Sequence, residues 1–260
     1  FRMPDGFENF VYLSQVQQAL AIKTAVEYWR SLRPLCMGTL YWQLNDNWPV
    51  CSWSSIEYDG SWKLLHHAAR RFFSPLLLCA WVKDGEVSVM LVNDLASEVR
   101  ARAVVSVVGF DGAVLREQSL EARAPAGSAR RLASWPVPGL ADRPENAFVH
   151  LALEHGSESS YNELFLAEPK RSPLARARVT ADAAAGGSGP GSPFAVRLVS
   201  DAPAFHVALE TGDIRGELSD NDFTLLPGTP RTVEFRPYAA VTLEKLRRSL
   251  SVRHLRDTYR

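Results

Sequence analysis

The chain has 260 residues, of which 46% are apolar and 22% charged, and its 29 basic and 29 acidic side chains cancel to a formal net charge of zero. That balance suits an ordinary globular protein of about two domains and excludes the clustered basic excess of a nucleic-acid binder. No apolar run approaches the roughly 18 residues that cross a bilayer, so no membrane partner is expected; the longest run, Pro75 to Val82, reads as one buried strand.

The first residues, Phe1-Arg2-Met3-Pro4-Asp5, show neither an initiator Met nor a signal peptide. They read as a cut inside a longer chain, which leaves localisation open. Val16, Ala19, Ile22, Val26 and Trp29 then recur at spacings of three and four, predicting a helix that Pro34 ends. Ser14 and Gln17 offer a capping box, with an earlier start near Phe7 as the alternative. Met37 to Leu44 is predicted as a buried strand, Asn45 to Pro49 as a loop, and Ser61 to Phe73 as a second helix with Trp62, Leu65, Ala69 and Phe72 on one face. Helix, buried strand, loop and helix is the pattern of a repeating β/α fold.

From Leu76 the pattern turns to β. Strands are predicted at Glu86–Asn93, Arg100–Phe110, Ala113–Leu120, Ala129–Trp135, Ala147–Leu153 and Tyr161–Ala167, with Asp111-Gly112 as a hairpin turn. Such spacing suggests a β-sandwich. Residues 169 to 193, rich in Pro, Gly, Ser and Ala, read as a flexible connector or long loop. Strands resume at Phe194–Val199, Phe205–Glu210, Thr232–Phe235 and Ser251–Leu255, giving a second, smaller sandwich.

Five of the seven tryptophans fall within residues 1–75, and the segment from Gly38 through Trp42-Gln43-Leu44-Asn45-Asp46 to Ser55 places indoles, amides and a carboxylate directly after the predicted strand. In a (β/α)8 barrel, substrate is handled at that end of a strand. Indole faces stack on the C–H face of a pyranose, and Asn and Asp bond its hydroxyls. Trp53 and Trp62 read first as core, and Trp42 equally as core or as a sugar platform. Glu8 and Glu27 read as helix residues, solvated or at a helix start, and Glu57 as part of a turn, so no catalytic carboxylate is assigned. Cys36, Cys51 and Cys79 lack metal-ligand spacing and read as small buried residues, with one disulfide left open. Asp220-Asn221-Asp222 reads as an Asx-type turn rather than a calcium loop. No metal or cofactor is expected.

The run from Tyr12-Leu13-Ser14-Gln15 through Gly38–Asp46 to Trp53-Ser54-Ser55-Ile56 resembles the end of the catalytic barrel in family 2 glycoside hydrolases of the β-mannosidase type. Gly60-Ser61-Trp62-Lys63-Leu64-Leu65-His66 and Arg71–Pro75 resemble the final barrel helix and exit. Leu218–Phe223, Leu226-Pro227-Gly228 and Leu255–Tyr259 resemble the C-terminal Ig-like domain of the same enzymes. The resemblance implies a mixed fold: the C-terminal segment of a (β/α)8 TIM barrel over residues 1–75, then Ig-like β-sandwiches over 76–170 and 171–260. It implies a retaining exo-glycosidase acting on terminal β-D-mannose of mannose-containing oligosaccharides through two glutamates, both upstream of residue 1. Trp42, Asn45 and Asp46 become the substrate-binding residues, no cofactor is needed, and a homodimer is a candidate assembly. Two readings stay open beside it: another family 2 specificity such as exo-glucosaminidase, and a non-catalytic carbohydrate-binding or structural module.

Overall fold

The computed structural model describes residues 1–187 and 192–260. The apolar spacing does form a helix, α1 (Phe7–Ser31), and it starts at the earlier of the two candidate points. Ser14 Oγ donates to the Phe10 carbonyl at 2.8 Å inside that helix, so it caps nothing. Val16, Ala19 and Val26 are buried as the periodicity requires. Trp29 is not, and Glu27 and Arg30 take the inward positions on the last turns. The second helix, α2 (Leu64–Phe72), begins later than Ser61. Backbone bonding withholds the intervening residues: Glu57 N–H donates to the Ser61 carbonyl at 2.8 Å, and Ile56 bridges Trp62.

The buried strand predicted at Met37–Leu44 does not form, and Leu40 is 97% exposed. An apolar strand is buried only where neighbours take up its backbone groups on both edges. Among the described residues the only bridge nearby is Asn45 to Ile56, just beyond its end.

The chain divides into two compact units. The first comprises residues 1–2, 21–41 and 69–173. Its strands are β1 (Leu76–Lys83), β2 (Glu86–Asn93), β3 (Val99–Gly109), β4 (Val114–Ala124), β5 (Ser128–Pro136), β6 (Ala147–His155) and β7 (Glu158–Phe165), with a one-turn helix α3 (Val137–Leu140) after β5. They form two antiparallel sheets, ordered β1-β2-β5 and β4-β3-β6-β7. Val87, Val89 and Leu91 of β2 share one core with Val105 and Val107 of β3 and Val149 and Leu151 of β6. The β1–β2 hairpin closes on Asp84-Gly85, both at positive φ, as a two-residue primed turn requires. Asn93 is fully buried at the end of β2. Its Nδ2 lies within 3.1 Å of the carbonyls of Ser97, Ala124 and Pro125, and its Oδ1 accepts from Leu95 N–H.

The last turns of α1 join this unit through ionic groups. Glu27 accepts from Asn162 Nδ2 at 2.9 Å and from Lys23 Nζ at 3.2 Å, and Asn162 also donates to the Leu78 carbonyl. Glu27 is therefore buried and paired, not solvated or at a helix start as the sequence suggested; helical periodicity does not reveal a partner 135 residues away. Burial raises its carboxyl pKa despite Lys23 and Asn162. Burial opposes the Lys23 charge, but Glu27 and Glu163 outweigh it and raise that pKa. Arg30 bonds the carbonyls of Phe72 and Ser74 and pairs with Asp94.

The second unit comprises residues 3–20, 42–68 and 174–260. Its strands are β8 (Val179–Ala185), β9 (Phe194–Ser200), β10 (Ala204–Glu210), β11 (Gly216–Leu218), β12 (Phe223–Leu225), β13 (Arg231–Pro237) and β14 (Ser251–Arg253), with helix α4 (Leu243–Ser249) before β14. The sheets are ordered β12-β10-β14 and β11-β13-β9-β8. The connector expected over 169–193 is thus replaced in part by β8, which pairs residue for residue with β9. An edge strand needs only one packed face, and Ala183 supplies it while Asp182 points outward. Residues 188–191 of that stretch lie outside the described residues. The strand predicted to Leu255 stops at Arg253 and gives way to a 3-10 turn.

Candidate functional site

The aromatic-rich loop lies in the second unit and is held by a buried carboxylate. Asp46 is 5% exposed. Its Oδ1 accepts from Ser52 Oγ and its Oδ2 from Ser54 Oγ, both at 2.6 Å. Lys63 Nζ lies 3.6 Å from Oδ2 and donates to Ser54 Oγ and to the Ser52 carbonyl. The hydroxyls of Ser52 and then Ser54, with Lys63 beyond them, hold the Asp46 pKa below the ordinary aspartate value. Short hydroxyl-to-carboxylate bonds of this kind are the strong ones.

The backbone closes the same loop. Ile56 N–H donates to the Leu44 carbonyl at 2.9 Å, and Asp46 N–H to the Ile56 carbonyl at 3.0 Å. Ser55 Oγ bonds the Leu44 carbonyl and contacts His66 Nδ1 at 3.0 Å. Gln18 on α1 donates to the Trp53 carbonyl at 2.8 Å. A segment without regular structure is thereby pinned at Leu44, Asp46, Trp53 and Ser55.

What the loop presents outward is indole and amide. Trp42 is 72% exposed, Trp48 61% and Trp53 62%. Trp53 and Trp62 are consequently not core residues, which corrects the first reading of both; Trp62 is partly exposed and meets the His66 ring edge-on at 4.2 Å. The peptide bond after Trp42 is cis. Asn45 is exposed, and its Nδ2 donates to the Asp46 carbonyl at 3.1 Å. Of the three residues picked from the sequence, Trp42 and Asn45 thus face outward, while both oxygens of Asp46 are taken by its own loop. The sequence reading missed Ser52, Ser54 and Lys63. The Ser-Trp-Ser spacing was a usable signal, because alternate residues of an extended segment point the same way.

The remaining polar candidates have structural tasks. Glu57 opens a turn that Gly60 N–H closes at 2.9 Å, and burial raises its carboxyl pKa. Glu8 is a salt-bridge partner of Arg253 at 3.5 Å. Asn221 N–H donates to Asp220 Oδ1, Asn221 Oδ1 accepts from Leu209 N–H, Asp220 pairs with Arg231, and Asp222 Oδ1 lies 2.7 Å from His206 Nδ1. The Asp220–Asp222 stretch therefore spends its side chains inside the fold. The three cysteines are free thiols; only Cys79 is buried, and Cys51 is exposed, against the expectation that all are core.

Comparison with known proteins adds the family context. The Mannosidase Ig/CBM-like domain matches residues 85–171, and a mannosidase Ig-fold domain matches residues 174–258. The β-mannosidase of Capra hircus is 35% identical over 282 aligned positions, covering 100% of this chain and 32% of that protein. The chain thus spans about a third of the length of the curated relatives it matches. The crystal structure of a β-D-mannosidase from Dictyoglomus thermophilum superposes with a TM-score of 0.85 at 25% identity, covering 98% of this chain and 31% of that one. An exo-chitosanase from Amycolatopsis orientalis shares the fold, with a TM-score of 0.67 at 18% identity over 92% of this chain and 33% of that one.

Proposed function

We infer, for a chain that belongs to the C-terminal portion of family 2 glycoside hydrolases of the β-mannosidase type, that the parent protein is a retaining exo-glycosidase. Its substrate is the terminal β-D-mannose of mannose-containing oligosaccharides. Residues 1–75 are the last segment of its (β/α)8 barrel, and 76–170 and 171–260 are its two Ig-like sandwiches. The barrel assignment is supported by the apolar segment 37–44, which carries the residues of a buried strand and has no ladder here.

The observation that carries the reading is the Trp42 indole, 72% exposed at the head of a loop fixed by Asp46. In this proposal Trp42 stacks on the terminal sugar and Asn45 bonds a hydroxyl at the pocket mouth. Asp46 acts as a positioning residue through Ser52 and Ser54. A retaining mechanism needs two carboxyls about 5–5.5 Å apart, one to form the glycosyl-enzyme and one to protonate the leaving oxygen. Glu27 is committed to Lys23 and Asn162, and the catalytic pair is assigned to the rest of the parent, as the family resemblance implies.

The test compares hydrolysis of p-nitrophenyl β-D-mannopyranoside by this chain and by the parent. Activity in the parent alone supports the proposal, and Trp42→Ala there lowers kcat/KM by at least about tenfold, one modest stacking contact. Activity in this chain alone places a catalytic pair inside it and sinks the assignment. Inactivity of both moves the reading to another glycoside or to a binding module.

A further inference from the structure

The second unit holds two adjoining cavities that the Asp46 side chain and its serine partners do not line. One, of about 440 Å³, is lined by Glu8, Trp62, Glu210 and Arg253 among others. The other, of about 290 Å³, is lined by Asp59, Trp62, Glu210 and Arg215 among others. Trp62 and Glu210 border both, so the two make one groove with an indole at its middle. The larger part alone is within the roughly 300–1,000 Å³ range of small-ligand sites.

Two arginines in this groove, Arg215 and Arg253, face four acids, Glu8, Asp59, Glu210 and Glu217. Arg253 lies 3.5 Å from both Glu8 and Glu210, and Arg215 pairs with Asp59 at 3.3 Å. The acids outnumber the guanidiniums beside them, so the groove disfavours an acidic ligand. They still offer acceptor oxygens beside fixed N–H donors, which is what neighbouring hydroxyls require, since each hydroxyl both donates and accepts. Trp62, 39% exposed between them, supplies the flat apolar face that a pyranose ring covers. Glu8 and Glu210 keep much of their surface, with side chains 88% and 46% exposed, so they reach a ligand without breaking a buried pair.

We propose that this groove is a second saccharide-binding site, distinct from the Trp42 loop, that holds two or three residues of a neutral oligosaccharide. The groove is argued from its own side chains; only the choice of a mannoside among the probes rests on the proposed activity.

The test uses this chain labelled with 5-fluorotryptophan, whose seven tryptophans give separate fluorine resonances, with Trp42→Phe, Trp48→Phe, Trp53→Phe and Trp62→Phe assigning four of them. β-1,4-Mannotriose, cellotriose and trigalacturonate are titrated in turn. The expected result is a saturable shift of the Trp62 resonance with at least one neutral trisaccharide. Glu210→Gln then weakens that binding about tenfold, the equivalent of one charge-assisted hydrogen bond, while unchanged Trp48 and Trp53 resonances report an intact second unit. A Trp62 resonance unmoved by both neutral sugars overturns the proposal, even if Trp42 responds. An equal response to trigalacturonate overturns the assignment to neutral ligands. Neither result touches the hydrolysis assay on the parent, so the two readings fail separately.

Discussion

Glu27 allows a quantitative test of how α1 is fastened to the first sandwich. Glu27→Leu keeps side-chain bulk but removes the carboxylate that pairs with Lys23 at 3.2 Å and accepts from Asn162 at 2.9 Å. Removing one partner of a buried pair costs about 3–5 kcal/mol, because the other charge stays uncompensated. Lys23 retains 20% side-chain exposure and a bond to the Glu163 carbonyl, which favours the lower end, about 3 kcal/mol. With a urea slope of about 2 kcal/mol/M, the unfolding midpoint of this unit falls by about 1.5 M. Lys23→Met added to Glu27→Leu recovers most of the loss, since an apolar pair replaces an ion pair at little cost. Asn162 still donates to the Leu78 carbonyl, so the residual deficit is about 1 kcal/mol or less. Urea series followed by hydrogen exchange of the β6 and β7 amides isolates this unit from the other. A single-variant shift under about 0.3 M, or a double variant no more stable than the single, would refute the coupling.

Four further outcomes follow from the same geometry. Because burial raises the Glu27 carboxyl, the folded state holds that proton more tightly; its contribution is complete below the unfolded pKa of about 4.3 and is lost as pH rises through the folded value. The stability difference between wild type and Glu27→Leu should therefore widen in favour of wild type as pH is lowered from 7 toward 4, measured as paired urea midpoints. Asp46 has the opposite sign: its pKa is lowered, so its contribution is present above about 3.9 and lost as pH falls through the folded value. Protection factors of the Ser54 and Ser55 amides, which correct for the intrinsic slowing of exchange in acid, should fall on that descent, and Ser54→Ala should move the fall to higher pH. Asn93→Asp turns a donor toward three carbonyls into a carboxylate and should cost the first unit about 3 kcal/mol in urea. At Gly216 a Cβ would sit 2.4 Å from the Arg236 carbonyl oxygen and 2.6 Å from the Phe235 ring, so Gly216→Ala should cost the second unit about 2 kcal/mol, read as a lowered Tm.

The parts of the fold legible in the sequence are those whose partners resemble themselves. β2, β3 and β6 are Val- and Leu-rich runs that need only an apolar face opposite, and their pattern alone locates them. β8 was lost because Ala and Asp beside a Gly-Ser-Pro stretch look like a linker, although an edge strand can be built from small residues. Helix α4 was lost despite a readable cap, Thr242 Oγ1 accepting from Lys245 N–H at 3.2 Å. The partners of Glu27 and Asp46 were illegible for a different reason. The tasks of these two carboxylates depend on Asn162 in one case and on Ser52, Ser54 and Lys63 in the other, and a lone carboxylate in a sequence carries no mark of what will surround it.

The Met37–Leu44 segment shows the limit of local reading most directly. Its residue types are those of a strand buried on both faces, yet Leu40 and Trp42 stand in the open while the loop after them is closed by a buried carboxylate and a lysine. Composition specifies what a segment can become, but a ladder needs a second backbone to exist. A strand that has the residues and lacks the ladder is what the last barrel segment of the proposed glycosidase would look like without the strands that flank it. The Asp46 network explains why its loop is nevertheless ordered: the carboxylate takes Ser52, Ser54 and Lys63 from the same stretch of chain, and Gln18 adds a tie from α1.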